Sequence, residues 1–319
     1  MVRIFFFPHF HYDWIWKFNR QDYSRINQKI LDQVVKLCQK FKNFKFGIES
    51  VYQLEEIERE NPELFQKIKT EIEKEKILIV DGQYLMADTF LPGGEALVRG
   101  IFYGKKYVFE KFGKKIPIGW LTDAFGLCSQ IPQIYKKSGY QYLAFSRGYP
   151  IEKAKVSEFW WQGLDQTKIL AHYFSSSHAY HVGLFTWEWE SLISELKKFS
   201  ATKNILFPCG IGSCPFPVWA LAKIREWNKV HPNQKMEILS PEHFFESLKN
   251  KKLKIWRGEM YQGKRIFPGV FSTRIWLKLE YFKIKNLILN GEKFQTLAWL
   301  LGKKYPFLEM EDLWKKIFF

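Results

Sequence analysis

The sequence is poor in acidic residues. Against 49 Lys and Arg it sets 33 Asp and Glu, for a formal net charge of +16. An excess of that size favours an anionic partner. The lysines, however, are interleaved with Glu in stretches such as EIEKEK instead of gathering in one block, the pattern of solvated helix faces. No RRM, zinc-knuckle or helix-turn-helix signature accompanies them, so no nucleic-acid partner is expected. Cysteine is scarce and unpaired in pattern. Cys38, Cys128, Cys209 and Cys214 form no C-x-x-C motif, which argues against a disulfide framework and for reduced thiols in a reducing compartment. Long apolar runs are missing as well. None reaches the ~18 residues of a spanning helix, and the first, Ile4 to Phe7, is too short for the core of a secretory signal. A soluble cytoplasmic chain with no membrane segment is the expectation.

What the sequence does have is apolar mass. At 319 residues, 46% hydrophobic and 18% aromatic, it buries a large core and is not disordered. Apolar positions at helical spacing predict a helix from about Tyr23 to Phe41, then a strand at residues 44–48 that ends on Glu49 and Ser50. A helix pair follows, its second member opened by Asn61 and Pro62. Ile77 to Val80 reads as a strand running into a loop with Asp81, Asp88 and a Gly-Gly turn, before a helix to about Phe112. Short apolar strands alternating with helices predict a parallel sheet with helical cover.

The densest chemistry is HFHYDWIW, His9 to Trp16, directly after the apolar run bounded by Pro8. Ligand sites in parallel α/β folds lie beyond the carboxyl ends of strands. His9, His11 and Asp13 alternate, so an extended chain turns all three to one side. Imidazole and carboxylate at that spacing suit zinc; the plainer alternative is a strand end with hydrogen-bonded histidines. Trp16 suits the floor of a sugar pocket. A second stretch, WLTDAFG, places Asp123 just past a strand over Pro117–Leu121, where it is either a cap or a partner of the first motif. His172, His178 and His181 cluster after another strand, but their spacing arises readily by chance.

H-x-H-x-D followed about 110 residues later by W-x-x-D-x-F-G resembles glycoside hydrolase family 38, the zinc-dependent α-mannosidases. NPELF, ILIVDGQYLMADT, LPGGEALVRG, EFWWQGLDQTKILAHYF, WRGEM and STRIWLK extend the resemblance over nearly the whole chain. It implies zinc ligands at His11, Asp13 and Asp123, with Asp123 also the catalytic nucleophile. Trp16 and Phe125 correspond to residues lining the sugar subsite, and Arg147 to an arginine near the nucleophile. His9 is not implied as a ligand. The implied chemistry is retaining hydrolysis of terminal α-mannosyl linkages in a mannose-containing glycan, through a glycosyl-enzyme on Asp123.

The chain departs from that pattern in two places. The family's glycine-rich loop after residues 205–207 carries the acid Asp; here it reads PCGIGSCPFP, with Ser213 at that position and no Asp or Glu between Asn204 and Lys223. Serine does not protonate a glycosidic oxygen at neutral pH. Glu188 and Glu190 are the nearby substitutes, although a solvated helix start accounts for both. The second departure concerns the fourth zinc ligand, which the resemblance places in a His-Asp pair after the long helix; no His follows His243. The expected architecture is therefore a parallel-sheet incomplete (β/α) barrel over residues 1–265, then the start of an all-α helical bundle over 266–319. Its expected partner is a downstream-encoded C-terminal chain. The alternative function is an inactive or partner-dependent carbohydrate-binding fragment. Ile284, Leu287, Ile288, Phe294, Leu297, Leu301, Leu313, Trp314 and Phe318 are expected to form one exposed apolar side.

Overall fold

The structure, a computed structural model, describes residues 2–184, 188–262 and 266–319. Its strands are β1 (Val2–Phe10), β2 (Phe46–Ile48), β3 (Ile77–Ile79), β4 (Ile118–Leu121), β5 (Tyr142–Phe145), β6 (Glu158–Gln162), β7 (Lys168–Tyr173), β8 (Asn204–Ile211), β9 (Gln234–Ile238) and β10 (Ile255–Arg257). The helices are α1 (Arg20–Lys40), α2 (Val51–Glu60), α3 (Pro62–Glu73), α4 (Gly94–Phe112), α5 (Ile131–Lys137), α6 (Ile151–Ala154), α7 (Trp189–Phe199), α8 (Trp219–Val230), α9 (Pro241–Glu246), α10 (Ile275–Leu300) and α11 (Phe307–Ile317).

β1 is the strand on which the fold is assembled. Ile4 to Phe7 are all buried, as a parallel strand covered on both faces requires. The faces separate with the period of two: Phe5 and Phe7 pack with Trp120 and Phe244, whereas Phe6 meets Trp189 of α7 and Phe207. His9 lies on the Phe7 side, stacked 6.1 Å from it. Pro8 does not bound the strand, contrary to expectation. Its residue falls where pairing with β9, which ends at Phe6, gives way to pairing with β2, which begins at His9, so no ladder bond depends on its missing N–H along that edge.

The expected single sheet is replaced by two five-stranded sheets that do not close on each other. One runs β3–β2–β1–β8 with β9 also on β1; the other runs β10–β6–β7–β5–β4. All pairs are parallel except β6 with β7. Where a ladder between β3 and β4 would lie, the buried Asp81 accepts the Trp120 N–H at 3.2 Å and the Tyr140 hydroxyl at 2.9 Å. A side chain thus takes over the bonding a strand pair would have made.

The domain break expected at residue 265 falls outside the described residues. Beyond it, α10 and α11 pack on α4: Arg99 donates to Glu292 at 3.0 Å, the Trp314 indole donates to Glu292 at 2.8 Å, and the Arg99 guanidinium lies over the Trp314 ring. The expectation of one exposed apolar side holds for Ile284, Leu287, Phe294, Leu297, Leu301 and Leu313, which are exposed, and not for Ile288 and Trp314, which are buried there. Among the described residues no helix is long and apolar enough to cross a membrane.

Candidate active site

The carboxyl ends of β1, β2, β4, β5 and β8 form one rim. His11 follows β1 directly, and its backbone N–H donates to Ile211 at the end of β8 over 2.7 Å. Its imidazole Nδ1 bonds the carboxylate of Glu49, the residue after β2. Glu49 is itself fixed, accepting the Tyr12 N–H at 3.2 Å and the Thr122 hydroxyl at 2.8 Å. That leaves His11 Nε2 facing Asp13 Oδ1 at 3.5 Å and Asp123 Oδ2 at 3.7 Å. Burial works to lower the His11 pKa, but the Glu49 carboxylate, with Asp13 and Asp123, outweighs it and holds the imidazole well above its ordinary range.

Asp123 is held from its other side. Arg147, two residues past β5, gives both its Nε, at 2.9 Å, and its Nη2 to Asp123 Oδ1. The guanidinium lies 4.2 Å from the Phe125 ring centroid and 5.4 Å from that of Phe267, so cation–π contact sets its plane. The Phe125 N–H donates to Asp88 at 2.9 Å. Burial, with the neighbouring Asp123 charge adding to it, raises the Asp88 carboxyl above the usual range although the Phe125 N–H opposes this. The loop carrying Asp123 is thus fixed by both a backbone and a guanidinium contact.

The remaining sequence-read positions scatter. His9 is buried between Trp120 and Tyr180, and burial lowers its pKa, keeping it neutral. Trp16 is 66% exposed, with the Lys17 ammonium over its ring. Ser213 lies two residues past β8, on the rim. Glu188 faces His178 at 3.5 Å, and Glu190 is largely exposed beside His231 at 3.4 Å, as a solvated helix start would be. The three clustered histidines do not share a site: His172 is buried on Glu158 at 2.9 Å, His178 bonds Ser177, and His181 bonds the Gly210 carbonyl. Glu49, Thr122, Asp88 and Tyr180 were not expected here. The one sequence signal among them was the Glu49 position at a strand end, which matches that of Asp123.

Zinc can be tested against this geometry. Among the described residues no three His, Cys, Asp or Glu side chains are already closed around one point. The donors nevertheless suit the ion. Separations of 3.5 and 3.7 Å from His11 Nε2 are a little wider than the roughly 3.4 Å between tetrahedral ligand atoms at zinc bond lengths. The Nδ1–Glu49 bond is the carboxylate–histidine arrangement that orients a metal-binding imidazole. Donor type and the orientation of the imidazole suit the ion, while among the described residues no three such side chains are placed to hold it as they stand.

Residues 1–265 match the glycosyl hydrolases family 38 N-terminal domain. An α-mannosidase of Saccharomyces cerevisiae is 26% identical over 95% of this chain and 29% of its own length. Human alpha-mannosidase 2C1 is 23% identical over 96% of this chain and 30% of its own length. This chain therefore spans under a third of either relative. A crystal structure of an α-mannosidase from Enterococcus faecalis superposes with a TM-score of 0.88 at 21% identity, covering 99% of this chain and 38% of that one, so the fold is shared.

Proposed function

The chain belongs to glycosyl hydrolase family 38, and on that premise we propose that it forms the nucleophile-bearing part of a retaining α-mannosidase acting on terminal α-mannosyl linkages of a glycan. The observation that carries this is Asp123, aimed between the Arg147 guanidinium on Oδ1 and His11 Nε2 near Oδ2. Asp123 attacks the anomeric carbon as the bond to the departing oxygen breaks. That oxygen leaves as an anion from an activated aryl glycoside, or takes a proton from solvent or the partner polypeptide when it leaves from a glycan. Water later cleaves the glycosyl ester to free the sugar and the carboxylate. Arg147 fixes the carboxylate's direction, and Phe125 offers an aromatic face beside it. His11, Asp13 and Asp123 would hold zinc, which when bound supplies a Lewis acid for two adjacent sugar hydroxyls. We read the two open sheets as an interrupted barrel whose strand ends share the rim, and place the protein in the cytoplasm.

Ser213 supports a second reading, an inactive or partner-dependent sugar-binding chain, because no carboxylic acid stands where the proton donor belongs. A polypeptide equivalent to the rest of the longer relatives is the partner we propose, seated against the exposed apolar surface of α10. The two readings separate on an activated substrate. Zinc-loaded protein should turn over 2,4-dinitrophenyl α-mannoside, and a 2-fluoro-mannosyl donor should label Asp123. Sugar binding with neither turnover nor labelling would establish the second reading instead.

A further inference from the structure

A short 3-10 turn over residues 179–184 leaves β7 and lies flat on β8. Two glycines permit the close approach. A Cβ on Gly183 would meet Cys209 Cβ at 2.5 Å and Phe6 at 3.0 Å, and one on Gly210 would meet Tyr180 at 2.5 Å and His9 at 2.8 Å. On this turn His181 places Nδ1 2.8 Å from the Gly210 carbonyl oxygen. A carbonyl only accepts, so Nδ1 carries the proton and Nε2 keeps a lone pair. The imidazole lies 4.0 Å from the Tyr180 ring, which in turn is 5.2 Å from the His11 ring. The charged and titratable groups facing it are His9, His11, Asp13 and Asp123.

We propose that His181 is a sugar-contacting residue of this rim, accepting a hydrogen bond through Nε2 from one hydroxyl of the bound glycoside. The inference rests on the α-mannosidase reading and adds a specificity element on the β8 side of the rim, where its partner Gly210 lies three residues before Ser213. Burial lowers the His181 pKa despite the Gly210 contact, so the ring stays neutral and its free nitrogen selects a donor. A sugar hydroxyl is such a group; a deprotonated phosphate or carboxylate is not. The tautomer is fixed by the backbone before any ligand arrives, so little reorganisation accompanies binding.

Imidazole-nitrogen NMR of the zinc-loaded chain tests this directly. The free protein should show the Nδ1–H tautomer of His181, and methyl α-mannoside should shift its Nε2 resonance. In calorimetry, one monodeoxy mannoside should bind wild type about 3- to 10-fold more weakly than the parent sugar, the scale of a single hydrogen bond. H181L should erase that difference while leaving the penalties for the other deoxy sugars unchanged. An Nε2–H tautomer, an Nε2 signal unmoved by saturating sugar, or one moved by zinc alone overturns the proposal, and the first and last are read on wild type whether or not H181L folds. If wild type binds no mannoside, the α-mannosidase reading fails and this inference falls with it. Sugar binding with a silent His181 defeats the inference alone.

Discussion

The two sides of the rim are built to different degrees. On the side of β1, β4 and β5, three functional groups each have a second group holding them: His11 has Glu49, Asp123 has Arg147, and Phe125 has Asp88 through its backbone. On the β8 side the chain reads Gly210, Ile211, Gly212, Ser213, Cys214, with no carboxylate and an exposed thiol at its end. The first side is equipped to attack a carbon. The second lacks the group that would release the leaving oxygen. Attack and proton donation are separable parts of one reaction, and on the proposed reading this chain would keep the first without the second.

Removing the attacking group should give the largest effect. D123N is expected to abolish turnover of 2,4-dinitrophenyl α-mannoside, measured under saturating zinc, because it removes the nucleophile and weakens a ligand together. Persistent activity in that variant would place the nucleophile elsewhere. One step back, E49Q should leave the chemistry in place but loosen the His11 ring, weakening zinc about 10- to 100-fold by calorimetry, the usual cost of an outer-shell partner; unchanged affinity would reduce Glu49 to a structural role.

The raised His11 pKa gives a pH signature. In metal-free protein the protonated ring adds stability that is fully present below about pH 6.5 and is lost as pH climbs through the higher folded value. Zinc must displace that proton, so its affinity should rise with pH by up to about tenfold per unit below the folded pKa. Calorimetry in buffers of different ionisation enthalpy would count the proton released, and a flat affinity from pH 6 to 8 would remove His11 from the ligand set. The smallest effect belongs to the outer surface. F294E, at an exposed position on α10, should change unfolding free energy by no more than about 0.5 kcal/mol, whereas W314A, fully buried against α4, should cost about 3–5 kcal/mol. Equal losses in chemical denaturation would mean that the Phe294 face of α10 is buried as Trp314 of α11 is.

Legibility in the sequence followed chain locality. His11 and Asp13 could be read because their motif sits directly after an apolar strand, and Asp123 because it repeats that position. Arg147 and Phe125 were visible only through resemblance, since a lone arginine or phenylalanine carries no local pattern. Glu49 was seen as a strand end without a role, because its partner His11 is 38 residues away. Pro8 was misread as a boundary because the handover between β9 and β2 is a tertiary event. The division of the expected incomplete barrel into two sheets was not legible for a similar reason, since Asp81 bonds across the gap between β3 and β4 through tertiary contacts. Trp16 shows the converse limit: a motif position named its type, but the surroundings leave it open to solvent.

The comparison between the two sides reduces to one measurement: kcat/KM against leaving-group pKa for a series of aryl α-mannosides, in wild type and in S213D. Wild type should fall steeply as the leaving group becomes more basic, because nothing protonates it. S213D should leave the dinitrophenyl rate nearly unchanged and raise the poorest substrates by up to about 10²–10⁴-fold, the scale of general-acid catalysis, flattening the slope. A shallow slope in wild type would contradict the account, since a proton donor would then already be at work on the β8 side.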